Sequence, residues 1–181
     1  MDEFNLYEYV VKQKIEGSWR IKRMGMFALY ALFVIIWFIF GAITNFWPLL
    51  ALIPVTLWMV VFFTWRYVSL EYEYSILAGE VTVSNIYGGR SKKAILKVKI
   101  KDMSKVAPWH ADGADEEIKK FAPTKEYNAV STMDSPDVYY ALFTDADSGD
   151  RCVLWFEATE RALKVFKYYN ASATVVTKVR W

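Results

Sequence analysis

"GAITNFWPLL", residues 41–50, sits inside 42 consecutive residues, Met24 to Trp65, that contain no Asp, Glu, Lys or Arg. A helix rises about 1.5 Å per residue, so one rod of that length would measure about 63 Å, against a bilayer core of about 30 Å. Tilt does not absorb a factor of two. The run must fold back, and turn chemistry lies near its middle, where Gly41, Thr44, Asn45 and Pro48 cluster. This predicts a hairpin of two transmembrane helices over residues 24–65, with spans of about 24–43 and 46–65. Pro48 suits the first turn of the second helix, where a missing N–H costs nothing. Pro54 frees the carbonyl of Leu50 and predicts a kink or simply a tolerated membrane proline. A cleaved signal peptide would carry an apolar stretch of only about 7–15 residues followed by small residues, and neither holds.

Cations set the expected orientation. Lys12, Lys14, Arg20, Lys22 and Arg23 precede the first span, Arg66 follows the second, and the turn has none. The positive-inside bias then predicts a multi-pass protein of the cell membrane with both termini cytoplasmic. Trp19 and Trp65 would anchor at the inner headgroup level and Trp47 at the outer. With no Asp, Glu, Lys, Arg or His in either span, the sequence offers no proton relay, counter-ion or charged-substrate site within the bilayer.

Outside the hairpin the chain is nearly neutral: residues 1–23 carry 5 basic against 4 acidic side chains, and residues 66–181 carry 17 against 16. No basic excess points to nucleic acid. Cys152 is the lone cysteine, so no intrachain disulfide forms, in keeping with a reducing compartment. In the juxtamembrane segment 1–23, Phe4, Tyr7, Val11, Ile15 and Trp19 recur at spacings of three and four, which predicts an amphipathic helix. Two placements stand side by side, along the inner membrane surface or against the protein's own cytoplasmic domain.

From Tyr67 the period changes to two. In "YVSLEYEYSI" (67–76) Val68, Leu70, Tyr72, Tyr74 and Ile76 share one face and polar residues the other, the pattern of a half-buried strand. "LAGE" (77–80) turns into a return strand, "VTVSNIY" (81–87), and "GGR" (88–90) into a third, "KKAILKVKI" (92–100). There Leu96, Val98 and Ile100 point inward while Lys97, Lys99 and Lys101 point to water. Residues 106–136 break the pattern, apart from "ADEEIKKF" (114–121), whose acids-first order suits a short surface helix. Strands resume with "VYYALFT" (138–144) and "RCVLWFEA" (151–158), joined by "DADSGD". In "TERALKVFKYYN" (159–170) Thr159 is the N-cap candidate, Leu163, Phe166 and Tyr169 share a face, and Asn170 is a stop. "TVVTKVRW" (174–181) fits a further strand or a trailing end. The expected fold of residues 66–181 is α+β, a small antiparallel sheet closed by a C-terminal helix.

This order resembles bacterial pleckstrin-homology-like membrane proteins and, more narrowly, an uncharacterised family of small bacterial two-span proteins. The stretch "LEYEYSILAGEVTVSNIYGGRSKKAILKVKIKDMSKVAP" (70–108) is similar to the family's Tyr-rich first strand, Gly turn, basic strand and Pro exit, and "ERALKVFKYYN" (160–170) to its terminal helix. The resemblance implies a PH-like domain and brings no catalytic residues.

Candidate chemistry is sparse. "DADSGD" crowds Asp145, Asp147 and Asp150, but a calcium loop starting at Asp145 would need ligand, glycine and glutamate at its fifth, sixth and twelfth positions, where Gly149, Asp150 and Phe156 stand. A hairpin turn is the better reading. His110 and Cys152 are each single, which leaves a zinc site or a Cys–His pair without the usual partners. Cys152 reads as a small buried strand residue and His110 as a loop residue. "YGGRSKKA" (87–94) lacks the order of a phosphate loop. No catalytic residue, cofactor or metal is expected. The strongest charge feature is Arg90, Lys92, Lys93, Lys97, Lys99, Lys101 and Lys105 against the single acid Asp102. Near an anionic leaflet each such cation contributes about 1 kcal/mol. Cross-strand pairing with Glu71 and Glu73 would absorb the charge instead, at about 0.2–1 kcal/mol per contact. An acidic protein partner is the third use of that face.

The sequence therefore reads as a membrane-anchored binding or scaffolding module. Its expected partners are membrane lipids and a protein, or a second copy through the hairpin. The alternative is an enzyme or accessory subunit acting on lipid or cell-envelope substrates, with Asp112, Asp115 and Glu116 of the 109–136 segment at its site.

Overall fold

A computed structural model of the chain describes residues 6–179, and it divides into two compact units. One unit comprises Lys14–Leu70 and Tyr87–Ser91; of the described residues the other holds 6–13, Glu71–Ile86 and 92–179.

The first unit is a helical hairpin. Helix α1 (Gly17–Thr44) is followed by a 3₁₀ turn over Trp47–Leu52 and helix α2 (Ile53–Thr64), and a second short 3₁₀ turn covers Trp65–Tyr67. The reversal falls where turn residues were expected. Asn45 caps α1 in the left-handed conformation (φ 54°), the Thr44 hydroxyl donates back to the Phe40 carbonyl at 2.8 Å, and Pro48 is the second residue of the 3₁₀ turn. Gly41 permits the close return, since a Cβ there would lie 3.2 Å from Leu50. Pro54 does not leave the Leu50 carbonyl bare: it marks the change from 3₁₀ to α winding, and the Ile53 N–H donates to that carbonyl instead. Inside the hairpin Tyr30 and Thr64 share a hydrogen bond of 2.6 Å. Gly17–Thr44 and Leu50–Tyr67 are each long and apolar enough to cross a membrane, with 6 % and 0 % of their apolar windows buried. The segment Tyr87–Ser91 belongs to this unit, held by the Gly88 N–H on the Ser69 carbonyl at 2.8 Å.

The second unit is α+β, with two four-stranded sheets. The first sheet has the order β1-β2-β3-β4, formed by β1 (Leu6–Lys12), β2 (Leu70–Leu77), β3 (Glu80–Tyr87) and β4 (Ser91–Lys99). Strands β2 to β4 are the predicted meander. Strand β1 corrects the expectation of an amphipathic helix before the hairpin: residues 6–12 are extended and pair antiparallel with β2, from Leu6↔Leu77 to Lys12↔Glu71. The physical reason lies in "LYEYVVK", which alternates with period two, Tyr7, Tyr9 and Val11 inward and Leu6, Glu8, Val10 and Lys12 outward. Tyr7 and Val11 fit both periods; Tyr9 fits only the strand. Phe4, the first residue of the predicted helical stripe, lies outside the described residues, as do Arg180 and Trp181 of the tail.

The second sheet has the order β5-β7-β8-β6, with β5 (Met103–Pro108), β6 (Lys125–Asn128), β7 (Val138–Thr144) and β8 (Arg151–Glu157). Two of its strands were not foreseen: β5, and β6, which runs parallel to β8 and lies within 106–136, the segment expected to break the strand pattern. Both faces of this sheet are covered. On one, Tyr74 of the first sheet, Tyr139, Phe156 and Phe166 form an aromatic chain with centroid distances of 6.5, 6.0 and 5.3 Å about Phe156. On the other, Val138, Tyr140, Leu142, Val153 and Trp155 pack beneath α3 (Ala114–Phe121) and the residues around it. The irregular segment is thus a third layer of the core. Helix α4 (Glu160–Tyr169) begins at Thr159, whose hydroxyl accepts the Ala162 N–H at 3.1 Å, and buries Leu163 and Phe166. Asn170 ends it, and its amide donates to the carbonyls of Ile100 and Met103, pinning the helix end to the β4–β5 corner. The tail adds one parallel bridge, Thr174 to Val106.

Candidate functional site

Strand β1 has β2 on one side, and among the described residues no strand stands on the other. Its backbone N–H and C=O groups on that side are a template for a further strand. Beside this edge runs a groove of about 680 Å³ between β1 and the junction of β8 with α4. Its floor is built by the inward-facing tyrosines. Tyr9 stacks on Tyr74 with ring centroids 4.6 Å apart and donates to the Glu157 carbonyl at 2.9 Å; Tyr7 bonds the Thr159 hydroxyl at 2.8 Å. Burial raises the hydroxyl pKa of Tyr9 and of Tyr74 well above the ordinary tyrosine value, so both remain protonated donors. The Glu157 carboxylate, itself buried, accepts the Ser131 N–H at 2.7 Å. The far wall is the first turn and a half of α4, where the Arg161 guanidinium lies 5.0 Å from the Tyr7 ring and Lys164 pairs with Glu160 at 2.8 Å. The arrangement offers an open backbone edge, an aromatic floor and a mixed-charge rim, the features that seat an extended peptide.

Composition and motif reading missed this groove because none of its residues makes a motif. The available signal was the alternation of "LYEYV", which mirrors that of "LEYEY" in β2.

The basic stretch does not act as one face. Arg90 sits in the Tyr87–Ser91 segment of the hairpin unit. Lys92 pairs with Glu73, Lys97 with Glu80 at 3.1 Å, and Lys105 with Glu117 at 3.2 Å. Lys93, Lys99 and Lys101 are exposed, the last two beside Tyr169. Cross-strand pairing therefore takes part of the charge, with one correction: Glu71 is held by Lys12 of β1 at 3.4 Å, not by a lysine of the basic strand. A strand unseen in the sequence supplied the nearer cation. Glu117 also accepts the Tyr140 hydroxyl at 2.6 Å, a bond that together with Lys105 lowers its carboxyl pKa.

Asp112, Asp115 and Glu116 stand exposed at the start of α3, away from the groove. "DADSGD" forms the β7–β8 turn and satisfies itself: the Asp145 N–H donates to the Asp150 carbonyl at 2.9 Å, and the Ser148 hydroxyl lies between the carboxylates of Asp145 and Asp150, 3.0 and 2.8 Å away. Lys125 binds Asp150 from β6 at 2.5 Å and helps to lower its pKa. His110 bonds the Ser135 carbonyl through Nε2 at 2.9 Å, and Cys152 is buried, its thiol pKa raised by that burial. Of the three tryptophans expected as interface anchors, Trp19 and Trp65 lie toward the open end of the hairpin, where Lys22 and Arg23 approach their rings at 4.7 and 5.3 Å; Trp47 opens the 3₁₀ turn at the closed end.

No curated protein and no solved structure matches the chain. A family model does, that of the Bacterial PH-like domain (DUF6106), over residues 1–176, which takes in the hairpin as well as both sheets. Matched along nearly its whole length, the chain belongs to this bacterial PH-like domain family.

Proposed function

We propose that the protein is a membrane-anchored binding module that presents its PH-like domain at the cytoplasmic face and receives an extended segment of a partner protein along β1. One observation carries the reading. The chain leaves the first sheet after Lys12 and returns with β2, whose Glu71 is the ladder partner of Lys12. A segment inserted between paired positions of a folded sheet crosses a bilayer an even number of times, so two spans leave every strand on one side. Lys12, Lys14, Arg20, Lys22, Arg23 and Arg66 flank the spans and favour the cytoplasm as that side. The groove beside β1 supplies the docking surface, with the partner adding main-chain hydrogen bonds to the edge and setting side chains against Tyr7 and Tyr9.

Two measurements test it. A topology reporter fused after Trp181 is expected to read inside the cell and one inserted at Asn45 outside; a C-terminal reporter that reads outside would overturn the cytoplasmic placement. Photo-crosslinkers at Val10 and Lys164, on the two walls of the groove, are expected to trap one and the same protein adduct in native membranes. Adducts of equal yield from Lys93, on the exposed part of β4, would defeat the groove as the docking site.

A further inference from the structure

We propose that the open end of the hairpin holds a discrete site for the phosphate headgroup of an anionic phospholipid, built from Arg66 and Arg90 over an aromatic wall. The site is a cleft of about 210 Å³ formed within the hairpin unit, at the end of α2 and the Tyr87–Ser91 segment. Phe62, Phe63 and Trp65 form its apolar side, and Arg66, Arg90 and Ser91 its polar side.

Charge decides the class of occupant. The hairpin unit contains Lys14, Arg20, Lys22, Arg23, Arg66 and Arg90 against a single acid, Glu16, and Glu16 is not part of the cleft. Both arginines are therefore without a carboxylate from their own unit, unlike Lys92, Lys97 and Lys105, which have one each. They are also held in place. The Arg90 guanidinium lies 3.6 Å from the Phe62 ring centroid and donates one of its N–H groups to the Phe62 carbonyl at 3.4 Å. Arg66 lies over Tyr67 at 5.1 Å. Gly88 allows the turn that carries Arg90 to close against α2: its φ is +62°, and a Cβ there would meet the Arg66 backbone at 3.0 Å. A planar guanidinium fixed on an aromatic ring keeps its remaining donors for a phosphate, which it grips in a way a lysine ammonium does not.

Depth decides the source of that phosphate. On α1 the charges stop at Arg23, and on α2 the apolar run stops at Trp65; Arg23 lies 5.3 Å from the Trp65 ring, so the two boundaries coincide. That is the headgroup level of a bilayer. There the exposed rings of Phe62 and Phe63 face acyl chains while the arginines meet the phosphodiester. The occupant is a lipid headgroup and not a soluble phosphate, because the cleft opens beside apolar side chains that need hydrocarbon.

The inference rests on the hairpin being in a membrane and is independent of the groove at β1. The experiment uses the full chain in detergent micelles, titrated with phosphatidylglycerol and, separately, phosphatidylcholine, with bound lipid counted by native mass spectrometry. Wild type is expected to prefer phosphatidylglycerol, and R66Q/R90Q to lose roughly 20-fold in affinity for it. R66K/R90K keeps the charge and checks folding, and it is expected to recover only part of the preference. Equal binding of the anionic lipid by R66Q/R90Q, an equal loss in K99Q/K101Q, or displacement of the lipid by millimolar inorganic phosphate would each overturn the site. Failure of the topology reporters would remove the membrane reading itself, whereas a membrane-inserted protein without lipid preference removes this site alone.

Discussion

Seven residues of α1, "FVIIWFI" (33–39), and the seven of β7, "VYYALFT", are nearly all apolar, yet they meet opposite fates. None of the first set is buried; six of the second are. The difference is architectural. Strand β7 sits in the middle layer of the domain, where the first sheet and α4 cover one face and α3 with its flanking residues the other. Two helices in a hairpin can each hide only one stripe against the other, and the rest of their surface needs another apolar medium. Apolarity in a sequence says that a residue leaves water; the number of layers around it says whether the protein itself covers it or another apolar medium must.

Substitutions in the two regions are expected to act through different media. Phe156 is 1 % exposed and lies at the centre of the aromatic chain between the sheets, so F156A is expected to cost about 3–5 kcal/mol, read as a lower midpoint for loss of the β-sheet circular dichroism signal in detergent micelles. Ile36 is 55 % exposed, and in water an exposed isoleucine accepts lysine within about 0.5 kcal/mol. In a bilayer the same change, I36K, costs about 2.5–3.5 kcal/mol at the centre of a span and should reduce the membrane-integrated fraction on alkaline extraction. A fully integrated, equally stable I36K protein would mean that position 36 does not face hydrocarbon.

The two regions also differed in how far the sequence disclosed them. The hairpin was legible because its argument is a length, and the turn at Asn45 because Gly41, Thr44 and Pro48 leave few other conformations. Strands β2, β3, β4, β7 and β8 followed from strict alternation or from compact apolar runs, and Thr159 and Asn170 marked the ends of α4 through their cap chemistry. What escaped were elements defined by partners far away in the chain. Strand β1 is read only by its match to β2, on the far side of the hairpin, and β6 is four residues, Lys125–Asn128, whose parallel neighbour supplies all of the ordering. The candidate groove inherits that difficulty. Tyr7 and Tyr9 lie more than 140 positions from Glu157 and Thr159, so nothing local announces that they meet. Arg66 and Arg90 were each visible as charges, but their joint cleft depends on the Tyr87–Ser91 turn folding onto α2.

A finer contrast separates two tyrosines that each anchor a hydrogen bond away from water. In the domain, Tyr74 is 1 % exposed; its hydroxyl donates to the Ala129 carbonyl and accepts the Glu157 N–H at 3.4 Å. Removing it in Y74F leaves two backbone groups of a dry core without their partner, and a loss of about 1–3 kcal/mol is expected. In the hairpin, Tyr30 shares its 2.6 Å bond with Thr64, whose hydroxyl also bonds the Val60 carbonyl of its own helix at 2.6 Å. Y30F therefore leaves Thr64 satisfied, and the unfolded reference in a membrane already finds such local partners, so the cost should be near 0.6 kcal/mol. Thermal unfolding of the two variants in the same micelles, the sheet followed by its circular dichroism and the hairpin by tryptophan emission, checks the ratio. Equal losses would mean that Tyr30 works in the same kind of interior as Tyr74, and that the hairpin is packed by protein where the structure leaves it open.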